Sequence, residues 1–154
     1  MKKAGTQEAQ ETQDRSSLPY ILCFLCFLCS FPLVAQAPRT VWDGVYNDEQ
    51  AKRGEATYVE ACSNCHGRTL EGQDMTPALT GGGFMANWDG LSVGDLTDRI
   101  RSSMPFDRPG TLSRQENVDI VAYILRFNRF PAGKDELPPQ INTLKQIVFK
   151  AAKP

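Results

Sequence analysis

The stretch EACSNCHGRTL, residues 60–70, holds Cys62 and Cys65 with His66 directly behind them, and His66 is the only histidine in a chain of 154 residues. Residues at i and i+3 are neighbours on one helical turn. Both sulfurs can therefore face the same object while the imidazole projects beneath its centre. The segments on either side of this turn determine the fold that surrounds it.

Upstream, Asn47 is placed to cap a helix with Gln50 at its third position. Ala51, Gly54, Tyr58 and Ala61 then recur at three- and four-residue spacing, so the predicted helix runs straight into Cys62. Downstream, Ser92 with Asp95 announces a second helix through Leu96 and Ile100 to Ser103. The third has the clearest cap, the box Ser113-Arg114-Gln115-Glu116. Val118, Val121, Ala122 and Leu125 form its stripe, broadened by Ile120, Ile124 and Phe127, and so it should be buried on two sides. A glycine inside the first helix, Gly54, points to a close crossing with the third near Tyr123. The segments TPALTGGGF (76–84) and MPFDRPGT (104–111) read as loops, and no stretch alternates with the period of a strand. The expected class is all-α, about three main helices joined by long loops, too thin a core unless something large and apolar fills it.

The amino terminus has a different character. Ile21 to Val34 is an apolar run of 14 residues ending at Ala35-Gln36-Ala37, the pattern of a signal peptide with a small-x-small cleavage site. The polar region before it carries Glu8, Glu11 and Asp14 as well as Lys2, Lys3 and Arg15, where a purely basic segment is usual. Retention as a membrane anchor is the rival reading, although a span needs about 20 apolar residues. The expected organisation is a signal peptide over 1–37 and one domain over 38–154, with its core at 46–130 and an irregular tail at 131–154 that lays Ile147 or Phe149 back on the domain. Export implies a periplasmic location. Beyond the leader, 15 acidic residues are interspersed with 14 basic ones, so there is no footprint for nucleic acid or anionic lipid, and the expected partners are proteins.

Cys23, Cys26 and Cys29 depart with the leader, leaving one adjacent pair, which makes no disulfide framework. A structural zinc site wants four ligands, and the mature chain offers two cysteines and one histidine. A thioredoxin-like pair wants a βαβ setting. A fortuitous pair of buried thiols is the bland reading. The spacing C-x-x-C-H reads instead as covalent haem attachment, with a thioether from each cysteine to a haem vinyl group and His66 as proximal iron ligand. Without a second histidine, the sixth ligand falls to Met75, Met85 or Met104. Met104 is favoured: it follows a helix by one residue, stands 38 positions past His66, and precedes Pro105, which biases it to extended backbone. A gap-filling methionine is the alternative. Pro77 and Leu79 can set a backbone carbonyl against the second ring nitrogen of His66 and pack on the haem. Trp88, Arg99 and Arg101 are weaker candidates for the haem propionates.

With these residues in view, the chain resembles the class I cytochrome c family over Tyr46 to Phe130. The matching features are Gly54 and Tyr58 ahead of Cys62-Ser63-Asn64-Cys65-His66-Gly67, the turn Pro77-Ala78-Leu79, Met104-Pro105, and Ile120 to Tyr123. The resemblance implies an all-α cytochrome c-like bundle around one covalently bound haem c, with His66 and Met104 as axial ligands of its iron. The run MPFDRPGTLSRQENVDIVAYIL looks like bacterial cytochrome domains that accompany periplasmic dehydrogenases. It implies a dehydrogenase as electron donor and a cytochrome or oxidase as acceptor. The function expected from this is a one-electron carrier and not an enzyme. A dedicated subunit of a dehydrogenase complex is one alternative, and a haem sensor or peroxidase with an exchangeable sixth ligand is another.

Overall fold

Residues 38–154 are described by a computed structural model; the leader, and with it the signal-peptide expectation, lies outside them. The order of elements is β1 (Arg39–Thr40), α1 (Asp48–Ala61), α2 (Ser63–His66), α3 (Gly81–Trp88), α4 (Val93–Ser103), α5 (Arg114–Phe127), α6 (Ile141–Leu144) and β2 (Ile147–Val148). The protein is thus mostly helical, and α1, α4 and α5 are the three main helices expected.

Each begins where its cap places it. The Asn47 side chain accepts from the Gln50 backbone N–H at 2.9 Å, and Asp48 and Glu49 put negative charge on the positive end of α1. Ser92 with Asp95, and Ser113 with Glu116, form complete capping boxes on α4 and α5. α5 is buried over nine consecutive residues, Asn117 to Leu125, as its broad apolar face requires.

α1 crosses α5 with almost no space between the backbones. A Cβ on Gly54 would meet the carbonyl of Asp119 and the nitrogen of Ile120. The crossing therefore falls one turn earlier on α5 than the expected contact near Tyr123. Tyr123 instead faces Tyr58, one turn further along α1, with ring centroids 5.2 Å apart; such a pair contributes about 1 kcal/mol beyond its burial. Asp119 sits in this seam only 4% exposed. Its carboxylate accepts from the Arg53 guanidinium at 3.0 and 3.2 Å and from the Gln115 amide at 2.8 Å, so the charge is not left bare.

Two expectations need correction. The segment 76–84 is not loop throughout, because Gly81–Trp88 is helical and Met85 lies within it. Three glycines give that stretch a poor helix propensity. Distant packing overrides it: Phe84 is buried against Phe149, centroids 5.8 Å apart, and near Trp88. Nor is the chain free of strands. β1 and β2 form a two-residue parallel pair, Arg39 with Ile147 and Thr40 with Val148, too short to show any alternation.

That pair belongs to a tail more ordered than the expected irregular wrap. Leu137, Leu144, Ile147 and Phe149 are all buried. The Gln50 side chain in α1 is fully buried because it exchanges two hydrogen bonds with the Leu137 backbone, at 3.0 and 2.8 Å. Phe149 is held by Gly90 and Leu91 backbone partners at 2.9 and 2.7 Å and packs on Phe130. Burying a phenylalanine side chain contributes roughly 2–3 kcal/mol. The tail closes the end of the bundle formed by α3 and α4.

Candidate functional site

α1 ends at Ala61, and Cys62 breaks the helix with φ −125° and ψ −33° before the single turn of α2. The Cys62 carbonyl accepts from the backbone N–H groups of Cys65 and His66 at 3.2 and 3.0 Å, so both residues share the turn that Cys62 opens. Gly67 then takes φ +78°, a region closed to most side chains, and the chain reverses. The Tyr58 hydroxyl, one turn back in α1, donates to the Gly67 carbonyl at 2.7 Å and fixes that reversal to the rigid helix. Burial pushes the Tyr58 hydroxyl well above its ordinary pKa, so it stays a donor at any physiological pH.

The thiols differ. Cys62 is partly buried against the hydrophobic core, and Cys65 is exposed. Burial, helped by the neighbouring Cys65, pushes the Cys62 thiol up to about 11. A catalytic or redox-active cysteine requires the opposite shift. Among the described residues no three His, Cys, Asp or Glu side chains are grouped to hold a metal ion.

His66 is 7% exposed, and its Nδ1 lies 2.9 Å from the Pro77 carbonyl oxygen. A carbonyl only accepts, so Nδ1 carries the proton and Nε2 keeps a free lone pair. The Pro77 loop returns close to its origin: the Leu79 N–H donates to the Leu70 carbonyl at 2.8 Å, and the Gly72 N–H to the His66 carbonyl at 2.8 Å. Gly72, at φ +74°, permits this, since a Cβ there would meet the Thr76 carbonyl at 2.4 Å. The Leu79 side chain packs on the core.

Met104 caps the carboxyl end of α4 in extended backbone, φ −126° and ψ 151°, and is half-buried against the same core as Cys62 and Leu79. Met75 is 97% exposed, whereas Met85 lies on α3 and packs against the same core. Trp88 packs on the core, whereas Arg99 and Arg101 face solvent and Arg101 pairs with Asp98 at 3.1 Å. A recess bounded by Thr97, Arg101, Asn117 and Ile141 includes none of Cys62, Cys65, His66, Pro77, Leu79 and Met104.

The donor set suits a haem: two thiols on one turn, an imidazole with one nitrogen occupied and the other free, and a partly buried thioether. Comparison with known proteins bears on the same segment. The family described as "Cytochrome C oxidase, cbb3-type, subunit III" matches residues 49–124, from the start of α1 to near the end of α5. Over these residues the chain is a c-type cytochrome domain. Membership of that family implies haem c, whose protein chemistry is electron transfer.

This cytochrome is also similar to a thiosulfate dehydrogenase of Psychrobacter arcticus, 35% identical over 102 residues that make up 61% of this chain and 31% of that protein. It therefore spans about a third of the length of that relative. A solved structure, the sulfane dehydrogenase SoxCD from Paracoccus pantotrophus, aligns over 70% of this chain and 61% of that chain with 24% identity and a TM-score of 0.46.

Two contacts of the site were not legible in the sequence: Tyr58 to Gly67, and a set made by Asn128. The Asn128 side chain donates to the Leu79 carbonyl and accepts from the Thr80 hydroxyl, joining the end of α5 to the Pro77 loop. Residues 48 and 49 positions apart are involved, a separation at which one sequence carries no signal.

Proposed function

We propose that this chain is an exported monohaem c-type cytochrome that carries single electrons from a dehydrogenase to a cytochrome or oxidase. The observation that carries the reading is the His66 Nδ1 to Pro77 carbonyl hydrogen bond beside Cys62 and Cys65. It leaves Nε2 free on the turn where two thiols stand ready for covalent attachment. Bound haem would supply one iron that gains or loses one electron.

The chain's own residues do the rest. Cys62 and Cys65 would hold the haem, each through a thioether made by adding its S–H across a vinyl C=C bond, with no net oxidation. His66 would offer Nε2 to the iron, while the Pro77 carbonyl holds the ring in orientation through Nδ1. Met104 would supply a sulfur ligand, and ligation by histidine and methionine would raise the potential and leave no position for substrate. Leu79 and the buried core around Tyr58 and Leu70 exclude water. Among the described residues no helix is long and apolar enough to cross a membrane; attachment would require the leader to be kept.

Purification from an exporting host, followed by intact mass and an oxidised spectrum, tests the reading. One covalent haem and a sulfur-to-iron charge-transfer band are expected. A colourless folded chain, or pigment removed by acid-acetone, overturns it. The similarity to one third of a thiosulfate dehydrogenase favours a second reading, a cytochrome subunit committed to one dehydrogenase; a stoichiometric partner on purification distinguishes it. Rapid carbon monoxide binding by the untreated reduced protein would instead indicate a sensor or peroxidase.

A further inference from the structure

The Pro77 carbonyl that meets His66 lies in a segment with no regular secondary structure, and something must hold it there. On one side the Leu79 N–H donates to Leu70. On the other the anchor is Asn128, the residue that ends α5, which is 8% exposed. Its Nδ2 donates to the Leu79 carbonyl at 2.9 Å and to the Ile124 carbonyl at 2.9 Å, and its Oδ1 accepts from the Thr80 hydroxyl at 3.0 Å. Both donors and the acceptor are therefore used, and the amide has one orientation: turned over, Oδ1 would confront two carbonyls. α5 is in turn the most deeply buried helix, locked against α1 at Gly54.

We infer that Asn128 is a positioning residue for the iron-binding imidazole: it clamps residues 79 and 80 to the end of α5, and so keeps the Pro77 carbonyl on Nδ1 of His66. This rests on the reading of His66 as an iron ligand. The electronic consequence follows from the hydrogen bond. A firm acceptor on Nδ1 makes the imidazole a stronger donor and favours ferric iron. Releasing the clamp weakens that bond, so the reduction potential rises.

Thr80→Val removes the hydroxyl that pins Oδ1 without touching α5, and Asn128→Ala removes the clamp together with a cap on α5. Because His66 is the chain's only histidine, its Nδ1 proton is an unambiguous resonance in an untagged protein. In both variants we expect covalent haem and the charge-transfer band to remain. The Nδ1 proton should exchange with solvent about tenfold faster, as for the loss of one buried hydrogen bond, and the midpoint potential should rise. A lower Tm with exchange and potential as in the parent would make Asn128 only a helix cap and overturn the assignment. If Asn128→Ala fails to fold, Thr80→Val decides alone. The two levels separate cleanly. A parent protein without a haem-coupled Nδ1 resonance overturns the reading of the site and this assignment with it, whereas a normal parent resonance unchanged in the variants overturns only the role of Asn128.

Discussion

A Cβ placed on Gly54 would lie 1.8 Å from the carbonyl oxygen of Asp119. No rotamer relieves that overlap, because the position of Cβ is fixed by its own backbone and the oxygen is itself a backbone atom, so α1 and α5 must move apart for any other residue to fit. Gly54→Ala would gain roughly 1 kcal/mol of helix propensity but should still destabilise the protein by about 3 kcal/mol through overpacking. A Tm lowered by roughly 10 °C is expected. An unchanged melting curve would show that the two helices do not cross at this point.

How much of this was legible depended on distance along the chain. Asn47, Ser92 and Ser113 each act within three residues, so α1, α4 and α5 begin where the sequence puts them. The Pro77 turn lies close enough to His66 for its carbonyl to be suspected. The segment 76–84 reads as loop although the helix Gly81–Trp88 starts within it, because that helix is decided by Phe149, which no local pattern connects to Phe84. The buried Gln50 was equally opaque: alone it looks like a surface residue, and only Leu137, 87 positions away, satisfies it. The histidine's anchors divide the same way, Pro77 within reach of inspection and Asn128 beyond it.

The carboxylate of Asp119 is buried, and among the described residues Arg53 is its only charged partner; Arg53 also reaches Glu136 in the tail at 2.7 Å. Arg53→Ala leaves the carboxylate with Gln115 alone. Because the Arg53 side chain is itself 46% exposed, the cost should fall below that of a fully buried pair, at about 2 kcal/mol. The double variant Arg53→Ala with Asp119→Asn should recover part of this. Denaturant unfolding of both measures it, and equal losses would mean the pair contributes nothing.

Glu116 and Asp95 are held below their ordinary values of 4.5 and 3.8, first by the side-chain hydroxyls of Ser113 and Ser92 and then by the backbone N–H groups they accept from. A carboxylate whose folded pKa is depressed gives stability that is present above the unfolded value and is lost as the pH falls through the folded one. Glu116→Gln should therefore cost stability at pH 7, about 0.5–1 kcal/mol for a weakened cap. The gap to the parent should close as the pH falls below 4.5. Urea midpoints across that range test it, and a gap that stays constant would locate the effect outside the charge.

Met104 ends α4 in extended backbone and packs on the core shared by Cys62 and Leu79. As sixth ligand, Met104 would supply the sulfur that Met104→Ala removes; among the described residues Met75 points into solvent, and Met85 belongs to α3 and packs on the core. The charge-transfer band should vanish, the potential should fall because methionine ligation raises it, and the reduced protein should bind carbon monoxide to saturation. Met104→His should lower the potential but keep carbon monoxide out, because a second nitrogen fills the position. These two variants separate loss of the sulfur from opening of the site. A spectrum and potential unchanged in Met104→Ala would remove Met104 from the coordination sphere, and the electron-carrier reading would then need its second ligand from another residue.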